Sequence, residues 1–414
     1  MSELNAPNDP YAALRIPEFR SFVTARFCFT LAMQIQAVVV GWQIYDLTKD
    51  PLALGMIGLV EVVPSIAVAL YAGHLADLTS RKKIIILCNL ILILCSLFLF
   101  TYSFDPQNLL VRLGVLPIYL VIFLSGCARG FVGPAVFSFM PQLLPAKTFY
   151  ANAVSWNTTV WQAGSVLGPA VGGLVYGFFG ISAAYSADLF LIAFAFVCFS
   201  LIGAKPLPET AEKLPIKESL LSGVRFVFGN QIILSAITLD LFAVLFGGAV
   251  ALLPVFAADI LDAGPQGFGF LRAAPAIGSI VTAFYLAHHP LGRNAGRKML
   301  WAVAGFGVCM ILFGVSRSFY LSLGLLFLSG MFDCVSMIVR QTLMQTLTPE
   351  HLKGRVSAVT GVFIGSSNEI GSFESGLAAR LLGVTTSVVF GGAITLLVVG
   401  ATAIRADKLR KLQF

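Results

Sequence analysis

Residues 204–219 read AKPLPETAEKLPIKES, with three prolines and charges of both signs, and long apolar stretches flank them on either side. No other polar connection in the 414-residue chain is as long, and this one lies near its midpoint. Proline has no backbone N–H and clashes with the preceding helical turn, so a stretch of this make-up joins helices rather than continuing one. It divides the chain into an N-terminal part, 1–203, a linker, 204–219, and a C-terminal part, 220–414.

Outward from the linker the chain is apolar almost throughout. Hydrophobic residues make up 57% and charged residues 11%, against roughly 25% charged in a soluble domain. The mean hydropathy is +0.88. This excludes a water-soluble globular enzyme, because apolar surface on that scale needs lipid or other apolar surface to cover it. One bilayer crossing takes about 20 mostly apolar residues. Apolar runs between polar breaks predict helices at 21–47, 52–76, 83–104, 115–140, 150–178 and 182–203 before the linker. After it they predict 224–258, 266–288, 298–315, 319–345, 355–381 and 384–404. The expected fold class is all-α integral membrane, with 12 transmembrane helices in two six-helix bundles and no room for a sizeable extramembrane domain.

The formal charge of +7 would suggest nucleic acid in a soluble protein. Here the basic residues follow topology instead. Nineteen fall on the side of the termini, and Lys49, Arg112, Arg317 and Arg380 fall on the other. Cytoplasmic loops carry the Lys and Arg excess, so both termini are expected in the cytoplasm. The polar, proline-containing start MSELNAPNDPYAALRIPEFR is unlike the basic start of a signal peptide. The seven cysteines lie in apolar runs without CxxC spacing and read as packing residues.

The two parts repeat each other. Phe123-Leu-Ser-Gly126 returns as Phe327-Leu-Ser-Gly330 at an offset of 204, which also carries Met140 onto Met344 and Pro145 onto Pro349. At an offset of 211, Gly58-Leu-Val-Glu61-Val-Val-Pro64-Ser-Ile66 aligns with Gly269-Phe-Leu-Arg272-Ala-Ala-Pro275-Ala-Ile277. Parallel repeats joined by a central linker are the plan of secondary transporters whose substrate site lies between the halves.

Several segments resemble the major facilitator superfamily. Gly73-His-Leu-Ala-Asp77-Leu-Thr-Ser-Arg81-Lys82-Lys83 is similar to its signature loop, departing at Leu78, where an Arg is usual, and at Ser80, where a Gly is usual. Arg129 in RGFVGPA resembles the basic residue of the family's fourth helix. Gly164-Ser-Val-Leu-Gly168-Pro169-Ala-Val-Gly172-Gly173 resembles the fifth-helix motif of its proton-driven exporters. Trp42-Gln-Ile-Tyr45-Asp-Leu47-Thr48, RGFVGPA and Pro349 to Arg355 together are most similar to the drug-exporter branch that includes enterobactin and macrolide exporters. The resemblance implies that Gly73, Asp77 and Arg81 form a gating loop, with Asp77 stabilised at a helix N-terminus of the opposite half. It implies also that the glycine face packs on the eighth helix. The second-half copy of the loop, His288-His289-Pro290-Leu-Gly292-Arg293, lacks the Asp.

Gly164, Gly168 and Gly172 stand four apart and share one helix face, which permits close packing or a sliding seam. Replacing Gly168 by Leu is expected to abolish transport with folding largely kept. Ionisable residues inside membrane helices are costly and line cavities, pair with each other or relay protons. Arg26, Asp188 and Arg340 stand near predicted helix ends and can snorkel. Glu61, Arg129, Asp240, Arg272, Asp333 and Glu369 are the candidates for proton coupling or ion pairing. The repeat reverses charge at equivalent positions, Glu61 against Arg272 and Arg129 against Asp333. Two pairs of opposite polarity are therefore expected, Glu61 with Arg129 and Arg272 with Asp333. Gln34, Gln36, Trp42, Trp156, Asn157, Trp161 and Gln162 make a mixed aromatic and polar wall suited to a sizeable amphipathic ligand.

No ATP-binding, metalloprotease, hydrolase or haem motif occurs, so no enzyme, cofactor or metal site is expected, His288 and His289 included. The reading is a secondary active transporter working by alternating access, a proton-coupled exporter of a hydrophobic or amphipathic small molecule of drug-like or siderophore-like kind. It is expected to be monomeric and multi-pass in a plasma membrane, as in a bacterial inner membrane. The alternatives are a metabolite or lipid uptake carrier and a non-transporting receptor of the same fold.

Overall fold

The computed structural model describes residues 11–104, 113–205, 224–247, 249–288, 294–349 and 352–406. Among the described residues there are helices and turns and no strands. The main helices are α1 Pro17–Thr48, α2 Pro51–Leu78, α3 Arg81–Phe104, α4 Leu116–Phe139 and α5 Tyr150–Leu201. They are followed by α6 Gln231–Gly247, α7 Gly264–His288, α8 Ala295–Val315, α9 Phe319–Leu347, α10 Lys353–Leu382 and α11 Val384–Arg405. Helix prevails because a backbone in hydrocarbon must satisfy its own N–H and C=O groups within the segment. Among the described residues, ten helices are long and apolar enough to cross a membrane.

Sequence signals set the helix ends. α1 and α2 begin on Pro17 and Pro51, where a missing N–H costs nothing. Asp50 Oδ1 accepts the Leu52 N–H at 2.9 Å at the start of α2. α5 joins what reads in sequence as two helices, 150–178 and 182–203. Its course breaks at Gly180, with φ 84° and ψ 178°, a conformation essentially restricted to glycine. Its 52 residues would run about 78 Å if straight, more than two hydrocarbon thicknesses, so a count of twelve crossings is compatible with the fold. Gly383, with φ 87° and ψ 150°, makes the corresponding turn between α10 and α11.

The expected helix at 224–258 is interrupted. Residues 224–229 are helical, and Asn230 stops them and caps α6, its Oδ1 accepting the N–H groups of Ile232 (3.1 Å) and Ile233 (3.2 Å). Beyond Gly247 the chain tightens through the 3-10 turn Ala249–Leu252, passes Pro254 and widens to a π turn at Phe256–Ile260.

The chain divides into two compact units, Met1–Leu47 with Val60–Glu209, and Thr48–Leu59 with Thr210–Phe414. The cut at 209/210 falls inside the stretch 204–219, and the first turns of α2 group with the second unit. In the first unit Phe22 packs its ring against Phe19, Phe139 and Phe199 at centroid distances of 6.1, 6.3 and 6.1 Å, tying α1 to α4 and to the end of α5. In the second unit a core of Leu239, Met299, Val339 and Leu343 joins α6, α8 and α9.

The two repeat segments turn out to be opposite sides of one helix crossing, made once in each unit. A Cβ built on Gly126 of α4 would meet Glu61 O at 2.6 Å and Pro64 Cγ at 3.1 Å on α2. A Cβ on Gly330 of α9 would meet the Pro275 backbone of α7. Glycine permits the close approach, since any side chain at these positions would meet the opposing backbone.

Candidate functional site

The crossing in the first unit sets two charges against each other. Glu61 lies one turn before Pro64 on α2, and Arg129 one turn after Gly126 on α4. Glu61 Oε1 and Arg129 Nη2 form a direct ion pair, the side chains 13% and 30% exposed. At the equivalent places in the second unit the outcome differs. Among the described residues no ion pair joins Arg272 to Asp333; Arg272 Nε has no hydrogen-bond partner, and Asp333 is exposed. The expected second pair is therefore not formed. Asp240 of α6 instead pairs with Arg340 of α9, the side chains only 6% and 8% exposed. Arg340 was expected to snorkel from a helix end, but α9 continues to Leu347 and places it two turns inside. Glu369 stands half-buried on α10.

Asp188 also departs from the snorkelling expectation. It is fully buried on α5, where Oδ2 accepts from Gln36 Nε2 at 3.3 Å. Gln36 Nε2 also reaches Ser96 Oγ on α3 at 3.3 Å. One turn away, the Tyr185 hydroxyl donates to Gln43 Oε1 at 2.5 Å. Periodicity could not reveal these groups, since helices apolar on every side give no sign of which residues face which neighbour.

The proposed wall divides accordingly. Gln36 and Trp42 belong to the interior of the first unit, Trp42 with its ring 5.8 Å from that of Tyr176. Gln34 bridges α1 to α5 through the Ser165 carbonyl at 3.3 Å. Trp156 packs on Tyr11 at 5.8 Å, beside Ala13, whose N–H donates to Asn152 Oδ1 at 3.0 Å. Asn157 and Gln162 are half-buried, and Trp161 is 41% exposed. Of the seven, Trp161 is the most open to the surface.

The glycine face of α5 meets α1, where the family resemblance implied the eighth helix. A Cβ on Gly164 would stand 2.9 Å from Thr30 Cβ, and one on Gly172 would stand 2.9 Å from Ile35 Cα, while at Gly168 it would strike Gln34 Cβ. The four-residue spacing of the glycines lines them along one side of α1, where Thr30 and Gln34 are also four apart and Ile35 follows. Pro169 is half-buried and Gly173 buried beside them. Of the gating loop, Gly73 and Asp77 lie in the last turns of α2, their side chains outside the described set, as are His289 to Arg293. Arg81 opens α3 and donates to the Ser138 carbonyl at 2.8 Å.

Among the described residues no group of three or more His, Cys, Asp or Glu is placed to hold a metal. Two cavities of about 470 and 640 Å³ lie in the second unit, beside Asp259 and Arg317 and beside Arg225 and Asn230; neither contains the ion pairs.

Long apolar helices, a repeated glycine–proline crossing and buried charge pairs define a multi-pass membrane protein built as a transporter. The family profile described as transmembrane secretion effector matches residues 8–413, and the chain belongs to that family of the major facilitator superfamily. It is a transporter and not an enzyme. The enterobactin exporter EntS of Escherichia coli O1:K1 / APEC is 27% identical over 365 residues, 85% of this chain and 84% of its own. The same figures hold for EntS of Escherichia coli O157:H7 (strain EC4115 / EHEC). In fold the chain is similar to a POT family transporter solved with 5-aminolevulinic acid, with TM-score 0.73, 11% identity, and 95% of this chain and 96% of that one covered. It is similar also to a bacterial homologue of the human lysosomal transporter Spinster, with TM-score 0.70, 14% identity, and 95% and 98% covered.

Proposed function

We propose that this transporter is a proton-coupled exporter of an amphipathic, siderophore-like or drug-like small molecule, working by alternating access of two six-helix bundles, 1–203 and 220–414. The observation that carries the reading is the Glu61–Arg129 pair, held at a close helix crossing and still partly open to solvent through Arg129. A carboxylate in that position exchanges its arginine for a proton at low energetic cost, whereas a fully enclosed pair does not. The similarity to an enterobactin exporter supports the cargo class and the outward direction.

The test uses purified protein in liposomes, sorted for orientation, with an imposed pH gradient. Enterobactin and a macrolide serve as probes. The expected result is movement of at least one probe opposite to the proton gradient, abolished by a protonophore. Movement indifferent to the pH gradient would remove proton coupling, and movement only in the inward direction would favour an uptake carrier.

A further inference from the structure

The first unit holds a polar column that the Glu61–Arg129 pair does not touch. α5 carries Ser182, Tyr185 and Asp188 at intervals of three, α1 carries Gln36 and Gln43 seven apart, and α3 carries Ser96 and Ser103 seven apart. Both spacings repeat on one helix face. The three faces meet in rungs. Ser182 Oγ and Ser103 Oγ lie 3.2 Å apart, and both are near the end of the unit marked by the Gly180 turn. Tyr185 bonds Gln43 on the next rung, and Asp188, Gln36 and Ser96 make the innermost one. Successive rungs on α5 are about 4.5 Å apart along the axis.

Asp188 is the only member of the column that can carry a full charge near neutral pH. It is completely buried and its Oδ1 has no hydrogen-bond partner. The titratable groups around it are Tyr185 on its own helix and Cys95 on α3, both neutral acids. α1 and α4 present Gln36 and Ser125. Among the described residues no Lys, Arg or His forms an ion pair with it. A carboxylate enclosed in this way without a cation must acquire one positive charge or lose its own.

We propose that Asp188 is a proton-binding site, loaded on Oδ1 and exchanging with the medium through the Tyr185–Gln43 and Ser182–Ser103 rungs. Protonation adds one hydrogen to the carboxylate and alters no other bond. The site is separate from Glu61 and is read in the resting protein, so it stands or falls independently of whether transport is proton-coupled.

The experiment is infrared spectroscopy of the purified full chain in detergent at neutral pH. A carbonyl stretch of a protonated carboxylic acid is expected in the wild type and missing in Asp188→Asn, which preserves size and neutrality. Its shift on transfer to heavy water should be slowed severalfold in the double variant Ser103→Ala, Ser182→Ala. Should Asp188→Asn fail to fold, isotope-labelled aspartate in the wild type must move the same band. Absence of the band, or its failure to move with the label, overturns the proposal. Thermal unfolding in sodium chloride and in choline chloride should coincide; stabilisation specific to sodium and lost in Asp188→Asn would assign the site to a metal cation and overturn the proton.

Discussion

At the scale of single residues, the two ion pairs differ chiefly in exposure, and that difference separates their expected effects. Arg340 and Asp240 are both nearly sealed from solvent. Asp240→Asn leaves a buried guanidinium without its counter-charge, and the folded protein should lose about 3–5 kcal/mol, seen as a large fall in thermal stability in detergent. Arg129 is 30% exposed and can recover some hydration. Glu61→Gln should therefore cost only about 1–3 kcal/mol while transport falls sharply, and exchanging the two residues should restore part of the transport. Equal loss of stability in both variants would contradict the distinction. The charges themselves stand out in the sequence because Asp, Glu and Arg are rare among so many apolar neighbours. Their partners do not. Repeat symmetry paired Arg272 with Asp333, but Arg340 lies two turns along the same helix and meets Asp240 instead.

At the scale of helices, small residues decide how closely the elements approach. The α5 glycines read from spacing alone as a seam suited to movement, with Gly168→Leu expected to spare folding. Their contact with Thr30, Gln34 and Ile35 inside the first unit changes that expectation. Gly168→Leu should force α1 from α5 and destabilise the unit by about 1–3 kcal/mol or more, so that loss of transport is accompanied by a lowered unfolding temperature. Gly133, which has open space at its Cβ position, is the control and should tolerate Ala with little change. Unaltered unfolding in Gly168→Leu would return the glycines to a purely mechanical role. The turn at Gly180 is also a glycine requirement, but one of backbone conformation. Only its counterpart at Gly383 shows that Phe179-Gly180-Ile181-Ser182 and Leu382-Gly383-Val384-Thr385 are a further repeat, too short and too loosely matched to be detected as letters.

At the scale of the whole molecule, the charge distribution yields a topology that can be tested without knowing the cargo. Single cysteines at Lys83, Lys298 and Arg405, in a background with the native cysteines replaced, should react with an impermeant thiol reagent from the cytoplasmic side. A cysteine at Lys49 should react from the opposite side. Labelling of Lys49→Cys and Arg405→Cys from the same side would break the topology. The replacement background is practicable because all seven cysteines are free, six of them buried.

Composition and hydropathy sufficed for the all-helical membrane class and for most helix positions to within a few residues, because lipid imposes one rule on every residue of a crossing and leaves it visible in composition; the repeat was legible instead in matched residues at two offsets. Local turn chemistry was not read: the continuous helix expected over 224–258 passed over both the Asn230 cap and the change of helix type across 249–260. What only the tertiary structure decided is rotation, meaning which face of each apolar helix turns toward which neighbour. That choice put Gln36 beside Asp188, Arg340 beside Asp240 and the glycines of α5 against α1. It is made by the fit of side chains between helices, and in helices apolar on all sides no hydrophobic stripe records it.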